Sequence, residues 1–366
     1  MSPRRHIHER VTDTGHGGGV PAIGAWFRSF QIGFTFIGTV VGAGFATGRE
    51  VMQFFTRFGQ WGVPMIAVTT ALFVWLGART MLLSASIGAR SYEDLNRHLF
   101  GERWGAWISH LMLFVLVGAN AVMLAGAGTI FSEQLGWNYQ LGLLITVVGC
   151  FVLVRRGMSA VLAINTAVVP VMIAFGLYIA FRMLGDPGSL KGLTLHTDAS
   201  PLGVGLSPLL YAAYNLTMAQ AVLAPLGSVV RDPRTIRRGA AIGGLGIGLM
   251  LLAGHMSMSA RMPDIARFEI PIGGIAQEIG GWIHSVYILL VFLEIFTTLV
   301  SDQYGIALQL QARLHWPQSA ISAGLLAICF AAGQFGFGTL LSILYPLFGV
   351  LCLGWIFQIG SARAAP

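Results

Sequence analysis

Charge is what this chain has least of. Only 10% of its 366 residues are charged, against about 25% in a soluble domain. It holds a single lysine, Lys191, and 15 acids against 22 basic residues. A soluble globular domain is excluded, because so little charge could not clothe its surface. Cysteine is also scarce: Cys150, Cys329 and Cys352 all fall in apolar runs without CxxC spacing. They read as small buried hydrophobes, which argues against a disulfide framework or a metal cluster. No basic stripe interleaved with aromatics is present, so the net charge of +7 does not point to nucleic acid. Residues 1–25 lack the small-residue cleavage site of a signal peptide. They read as a disordered cytoplasmic tail bearing His6, His8 and His16.

What is abundant is apolar surface and glycine. The chain is 55% hydrophobic with a mean hydropathy of +0.72, and 48 residues are glycine. This is the composition of a polytopic membrane protein whose helices pack closely through small residues. Ten stretches are long and apolar enough to be candidate spans: 27–56, 62–84, 106–132, 139–155, 158–183, 202–228, 239–259, 281–304, 318–335 and 338–359. Between the second and third, Ser91 and Asp94 form a capping-box start for a short interfacial helix over 91–100. Arg90, Arg97, Arg103, Arg155, Arg156, Arg231, Arg234, Arg237, Arg238 and Arg313 sit in short loops on the N-terminal side. Fewer basic residues, among them Arg57, Arg182, Lys191, Arg261 and Arg267, fall on the other. The bias puts both termini in the cytoplasm. Asp232 and Pro233 begin a helix as N-cap and first residue.

The most informative segment is Gly38-Thr39-Val40-Val41-Gly42-Ala43-Gly44-Phe45-Ala46-Thr47-Gly48, inside the first apolar run. Lipid cannot satisfy exposed backbone N–H and C=O groups. A helix interrupted at this depth must therefore face protein or a watery cavity. Gly42-Ala43-Gly44 lacks the third glycine of a dinucleotide loop and follows no strand, so a cofactor reading fails. A second interruption of the same style is expected at Tyr211-Ala212-Ala213-Tyr214-Asn215-Leu216-Thr217, in the sixth span. Two broken helices at corresponding positions of two halves predict a secondary transporter. Ten spans divide into a 5+5 inverted repeat, 26–184 and 185–361, with helices 1 and 6 discontinuous. The two form one all-α transport domain.

Gly38–Glu50 resembles the signature of YkvI-type bacterial membrane proteins. So do Tyr214-Asn215 in the sixth span and Phe296-Thr297-Thr298 in the eighth. That family resembles the amino acid–polyamine–cation superfamily, whose members share the LeuT fold. The resemblance covers residues 27–360. It implies a transporter in the bacterial cytoplasmic membrane, for which sodium-coupled symport is the expected mode, with no cofactor beyond a coupling ion. It further implies a sodium site made by the carbonyls of Gly38, Val41 and Glu294 with the hydroxyls of Thr297 and Thr298. Phe45 stands where many relatives that bind a second sodium carry asparagine, so a second site is not expected.

At the break, free N–H groups around Val41, Gly42, Ala43 and Gly44 would meet a carboxylate and free carbonyls a cation. An amino acid or a small amine suits both. Asn120, Tyr211, Tyr214, Asn215 and Glu294 are further candidates for holding it. A charge at the centre of a span costs roughly 2.5–3.5 kcal/mol. Glu294 must therefore have a function or a partner: counter-charge, proton carrier, aid to sodium, or a neutral acid bonded to a neighbouring helix. Thr297 and Thr298 have the competing option of bonding their own helix's carbonyls. Asn165, Gln220 and His255 are polar at depth and equally suit helix-to-helix hydrogen bonds. Arg49 and Glu50 would form a gate with Glu269, or a plain interfacial pair. Nothing resembles an enzyme's nucleophile–base pair. A non-transporting sensor or scaffold is the alternative from another class.

Overall fold

A computed structural model describes residues 22–89, 91–156, 170–179, 181–182, 188, 194–230 and 232–362. The fifth candidate span is described only in part, and Asn165 and residues 1–21 lie outside the described set. The first helix already starts at Ala22, within the stretch expected as tail.

Among the described residues the secondary structure is helical. α1 spans Ala22–Val40, α2 Ala43–Ala46 and α3 Arg49–Phe54; a 3-10 turn over Thr56–Trp61 leads into α4, Gly62–Ile87. α5 spans Tyr92–Thr129 and ends in a π turn over Ile130–Gln134. α6 is Tyr139–Arg156 and α7 is Pro170–Ile179. Then come α8 (Pro201–Val230), α9 (Pro233–Ser259), α10 (Pro271–Ile279), α11 (Gly281–Leu314), α12 (Gln318–Gly333) and α13 (Phe337–Ser361). Six helical stretches are long and apolar enough to cross a membrane: Thr56–Ile87, Tyr92–Gln134, Pro201–Val230, Pro233–Ser259, Gly281–Gln311 and Phe337–Ser361.

Local signals start and stop several of these helices. Asp232 caps α9 by accepting from the Thr235 N–H at 3.0 Å, ahead of Pro233. The expected capping box closes too. Ser91 Oγ accepts from the Asp94 N–H at 3.3 Å, and Asp94 accepts from the Ser91 N–H at 3.1 Å. Gly101, at φ 77°, then bends the chain between the interfacial turn and the long span of α5. A side chain there would be strained.

The helices form two groups. α1, α4, α8 and α9 pack on one another as a bundle, while α5, α6, α11 and α12 form a frame. α13 lies between them, against α8 and α5. Glycine sets the bundle's spacing. A Cβ on Gly239 would lie 2.5 Å from Ile32, and one on Gly243 would lie 2.6 Å from Phe36, so α9 and α1 touch nearly backbone to backbone.

The sixth-span expectation is wrong. α8 runs unbroken through Tyr211–Thr217. That stretch contains neither glycine nor proline, so every residue can donate its N–H to the helix. Asn215 Nδ2 reinforces the turn by donating to the Tyr211 carbonyl at 3.0 Å. The helix absorbs Pro208, which lies one turn earlier. The sixth span is therefore continuous, and the discontinuity lies in the first helix.

Candidate functional site

The first helix stops at Val40. In an uninterrupted helix the Gly42 N–H would bond to the Gly38 carbonyl. Here it turns to the Val40 carbonyl at 3.0 Å, which releases Gly38. Val41 and Gly42 are non-helical, and Gly42 is extended (φ −107°, ψ −169°). Helix resumes at Ala43 for one turn. It turns again at Thr47 and Gly48, where φ is 80°, and continues as α3. A Cβ on Gly42 would meet nothing within 4 Å.

Three ties hold this half-helix. Tyr287 Oη, on α11, donates to the Ala46 carbonyl at 2.8 Å. The Ile272 N–H, on α10, donates to the Thr47 carbonyl at 3.1 Å. Ser207 Oγ, on α8, donates to the Phe54 carbonyl at 2.7 Å. The frame, the short helix α10 and the bundle each hold one point. Beside the break lies a cavity with about 50 Å³ of water-accessible space, walled by Val41, Phe45, Met172, Phe175, Met250 and Tyr287. Small-molecule sites run to about 300–1,000 Å³. The water-accessible space described beside the break is small by that measure.

Glu50 is the main surprise. The sequence suits it to a gate or to a plain interfacial pair with Arg49, but it is 3% exposed and inside the protein. Consecutive helical residues point about 100° apart, and these two diverge. The Glu50 carboxylate folds back over α2: a Cβ on Gly44 would lie 2.1 Å from its Oε1. It faces Tyr211 and Tyr214 on α8 and Tyr345 on α13. The Tyr211 and Tyr345 hydroxyls lie near enough to interact with it, yet neither closes a hydrogen bond of regular geometry, and Glu50 Oε2 is likewise unpartnered. Phe54, Phe55 and Phe73 ring Tyr211 at 5.1–6.1 Å between centroids. Tyr214 lies 4.5 Å from Tyr345.

Arg49 does reach the expected neighbourhood. Its Nη1 donates to the Phe268 carbonyl at 3.0 Å. Arg49 and Glu269 both border Gly338, where a Cβ would lie 3.0 Å from Nη2 and 3.2 Å from Oε1. Glu269 accepts from Thr129 Oγ1 at 3.0 Å. The π turn brings in Glu133, whose carboxylate accepts from the N–H groups of Glu269 (2.9 Å) and Ile270 (3.2 Å). With Tyr139 and Gln334 these acids line a cavity of about 340 Å³.

The remaining predicted residues are more scattered. Asn120, on α5, is fully buried with both side-chain polar atoms unpartnered. Glu294, on α11, is 3% exposed and its Oε2 is unpartnered. Thr297 Oγ1 takes the local option and donates to the Glu294 carbonyl at 3.2 Å. Thr298 is half-buried. α11 meets the first helix at α2, so the structure ties the eighth span to the far side of the break through Tyr287. Asn215 is spent on its own helix. Gln220 Nε2 contacts Met112 Sδ at 3.5 Å. His255 Nδ1 lies 3.2 Å from Thr56 Oγ1, a helix-to-helix contact. Among the described residues no group of three or more His, Cys, Asp or Glu converges as a metal site would.

Sequence reasoning missed Tyr345 and Glu133. The sign for Tyr345 was the proline after it, Pro346, interrupting an apolar span; Glu133 stood at the end of one.

A bundle and a frame meeting at a once-broken first helix define a LeuT-fold membrane protein. The fold is similar to that of Mhp1 in its inward-facing conformation, with a TM-score of 0.67 at 14% identity over 90% of this chain and 75% of that one. It is also similar to MhsT in complex with L-phenylalanine, with a TM-score of 0.62 at 15% identity over 89% and 88%. In sequence the chain is 37% identical over 329 residues to the uncharacterized membrane protein YkvI of Bacillus subtilis (strain 168), covering 89% of this chain and 93% of that protein. It is 25% identical over 333 residues to YyaD of the same strain, covering 90% and 95%. No family model matches the chain. The chain belongs to the YkvI family of multi-pass membrane proteins.

Proposed function

We propose that this protein is a secondary active transporter of a small solute, working by alternating access across the bacterial cytoplasmic membrane. The observation that carries the reading is the opened backbone at Val41–Gly42, which in a bilayer must face protein or a watery cavity that cargo can enter. In this reading ten spans form two inverted five-helix halves, 26–184 and 185–361, with both termini cytoplasmic. The bundle rocks against the frame.

The solute is an amino acid or a related amine. Its charged end would meet the backbone of Val41, Gly42, Ala43 and Gly44, with Asn120 offering unused donor and acceptor groups. Val41, Phe45, Met172, Phe175 and Met250 offer an apolar wall for its body once the cavity widens. A relative in fold, MhsT, was solved with L-phenylalanine, which suits such a wall.

Sodium is the proposed coupling ion, held by the carbonyls of Gly38, Val41 and Glu294 and by the hydroxyls of Thr297 and Thr298. Support comes from the released Gly38 carbonyl and from Thr297 Oγ1, already beside the Glu294 carbonyl. The second reading is proton coupling through Glu294, favoured by its burial and its unpartnered Oε2. Uptake into proteoliposomes separates the two. A sodium jump at constant pH should drive accumulation, and Thr298→Ala should remove that sodium dependence. Accumulation driven by a pH jump alone, lost in Glu294→Gln, would select the second reading.

A further inference from the structure

Glu50 has no place in either coupling scheme, yet it is a buried acid beside the break, 3% exposed. We infer that Glu50 is a proton-exchange site, filled when α2–α3 closes on α8 and α13 and emptied when the half-helix moves off them. For transport this rests on the proposed function above; the protonation itself does not.

The argument starts from neighbours. α8 presents Tyr211 and Tyr214 to the carboxylate, and α13 presents Tyr345. α2 presents Gly44, with no side chain. α9 meets α3 where Gly254 approaches Val51, and its His255 turns to Thr56 instead. Arg57, past the end of α3, lies over the Phe58 ring at 4.8 Å. Arg49 is engaged with the Phe268 carbonyl. So the groups that face Glu50 are phenols, and none of these elements turns a cation toward it. A lone carboxylate charge sealed from water in this way is strongly unfavourable, and such a group neutralises instead.

Space then decides what neutralises it. The carboxylate presses on the α2 backbone, as the 2.1 Å approach to a Gly44 Cβ shows. The Tyr214 and Tyr345 rings already close to 4.5 Å on its other side. A solute amine needs room, and a hard metal ion needs more oxygen ligands than one acid and three phenols supply. A proton needs neither. The phenols suit both states of the acid: each hydroxyl donates to the carboxylate or accepts from the carboxyl. The unpartnered Glu50 Oε2, Tyr211 Oη and Tyr345 Oη are the three atoms among which such a hydrogen bond would form. When α3 parts from α8 and α13, water enters, and the carboxyl O–H bond breaks by proton transfer to that water. Closing the seam requires the proton back. Gly44 is the positioning residue, because any side chain there would push the carboxylate away from the phenols.

The test is infrared difference spectroscopy during pH titration of the full chain in lipid nanodiscs, without any solute. The carbonyl stretch of a neutral buried carboxyl should fade as pH rises in the unmodified protein. That component should vanish in Glu50→Gln, persist in Glu294→Gln, and shift in frequency in Tyr345→Phe. Tyr345→Phe keeps the shape of the core, so it carries the test if Glu50→Gln folds poorly. Identical titrating bands in the unmodified protein and Glu50→Gln, with no shift in Tyr345→Phe, would overturn the proposal. So would a band that answers to sodium at fixed pH but not to pH. None of these readouts needs transport, so loss of the transporter reading would leave them standing.

Discussion

The bundle interior and the seam around the first-helix break are built on opposite terms. Inside the bundle, glycines on α9 and α8 let backbones meet: Gly239 and Gly243 against α1, Gly244 against Val74, and Gly227 against Met81. Buried polar atoms without a hydrogen bond occur in both regions, at Thr69, Ser84 and Thr217 in the bundle helices, but at the seam they include the carboxylates of Glu50 and Glu294. Glu50, Asn120, Tyr211, Glu294 and Tyr345 are buried, and each has a side-chain atom without a hydrogen bond. A membrane protein tolerates such atoms poorly in a single fixed state. The difference supports the proposal that the bundle moves as one body and that the seam is where it parts from the frame.

The comparison breaks most severely at Gly227. A Cβ there would meet the Met81 carbonyl oxygen at 2.3 Å and Met81 Cα at 2.7 Å, and backbone cannot give way. Gly227→Val should destabilise the protein by about 3 kcal/mol or more, read as a lowered unfolding midpoint in detergent. An unchanged midpoint would show that the bundle is looser than described. Seam substitutions should behave in the other way. Tyr345→Phe removes a hydroxyl that closes no hydrogen bond, so stability should change by less than about 1 kcal/mol. Asn120→Leu, which removes two unpartnered buried atoms, should be similarly mild or stabilising in the unloaded protein. It should nevertheless weaken solute binding, measured by thermal shift with added amino acids and amines. A large loss of stability in either variant would mean that the seam is packed as tightly as the bundle.

A more local effect is expected at the start of α9, between the spans. The Thr235 hydroxyl and the Thr235 and Arg234 N–H groups hold the Asp232 carboxyl below the usual aspartate range. A carboxylate favoured in the folded state contributes stability above its unfolded pKa of about 3.9. That stability is lost as pH falls through the lower native value. Asp232→Ala should cost about 1 kcal/mol at neutral pH and flatten the acid limb of a stability–pH profile; a parallel profile would remove the cap from the account.

The sequence makes legible whatever depends on backbone chemistry. Gly42 and Gly48 announce the break, Ser91 with Asp94 announces a helix start, and Asp232-Pro233 announces another. Where side-chain company decides, the sequence is mute. Tyr211–Thr217 looks like a second interruption because it is polar, yet polarity does not open a helix whose N–H groups are all present. Arg49 and Glu50 look like a pair because they adjoin, yet helical geometry sends one to the Phe268 carbonyl and the other to three tyrosines. Tyr345 comes from far along the chain, and only packing of α13 on α8 and α3 brings it to Glu50.

Gly42 tests the central claim most directly, because its absent side chain points into open space at the break. Its extended backbone accepts any residue, so Gly42→Val should fold with an unchanged unfolding midpoint. The measurement is the thermal shift that amino acids and amines produce in the unmodified protein and in Gly42→Val. The account predicts a solute-dependent rise in the former and none in the latter. An equal rise in both would contradict it and move the cargo away from the first-helix break.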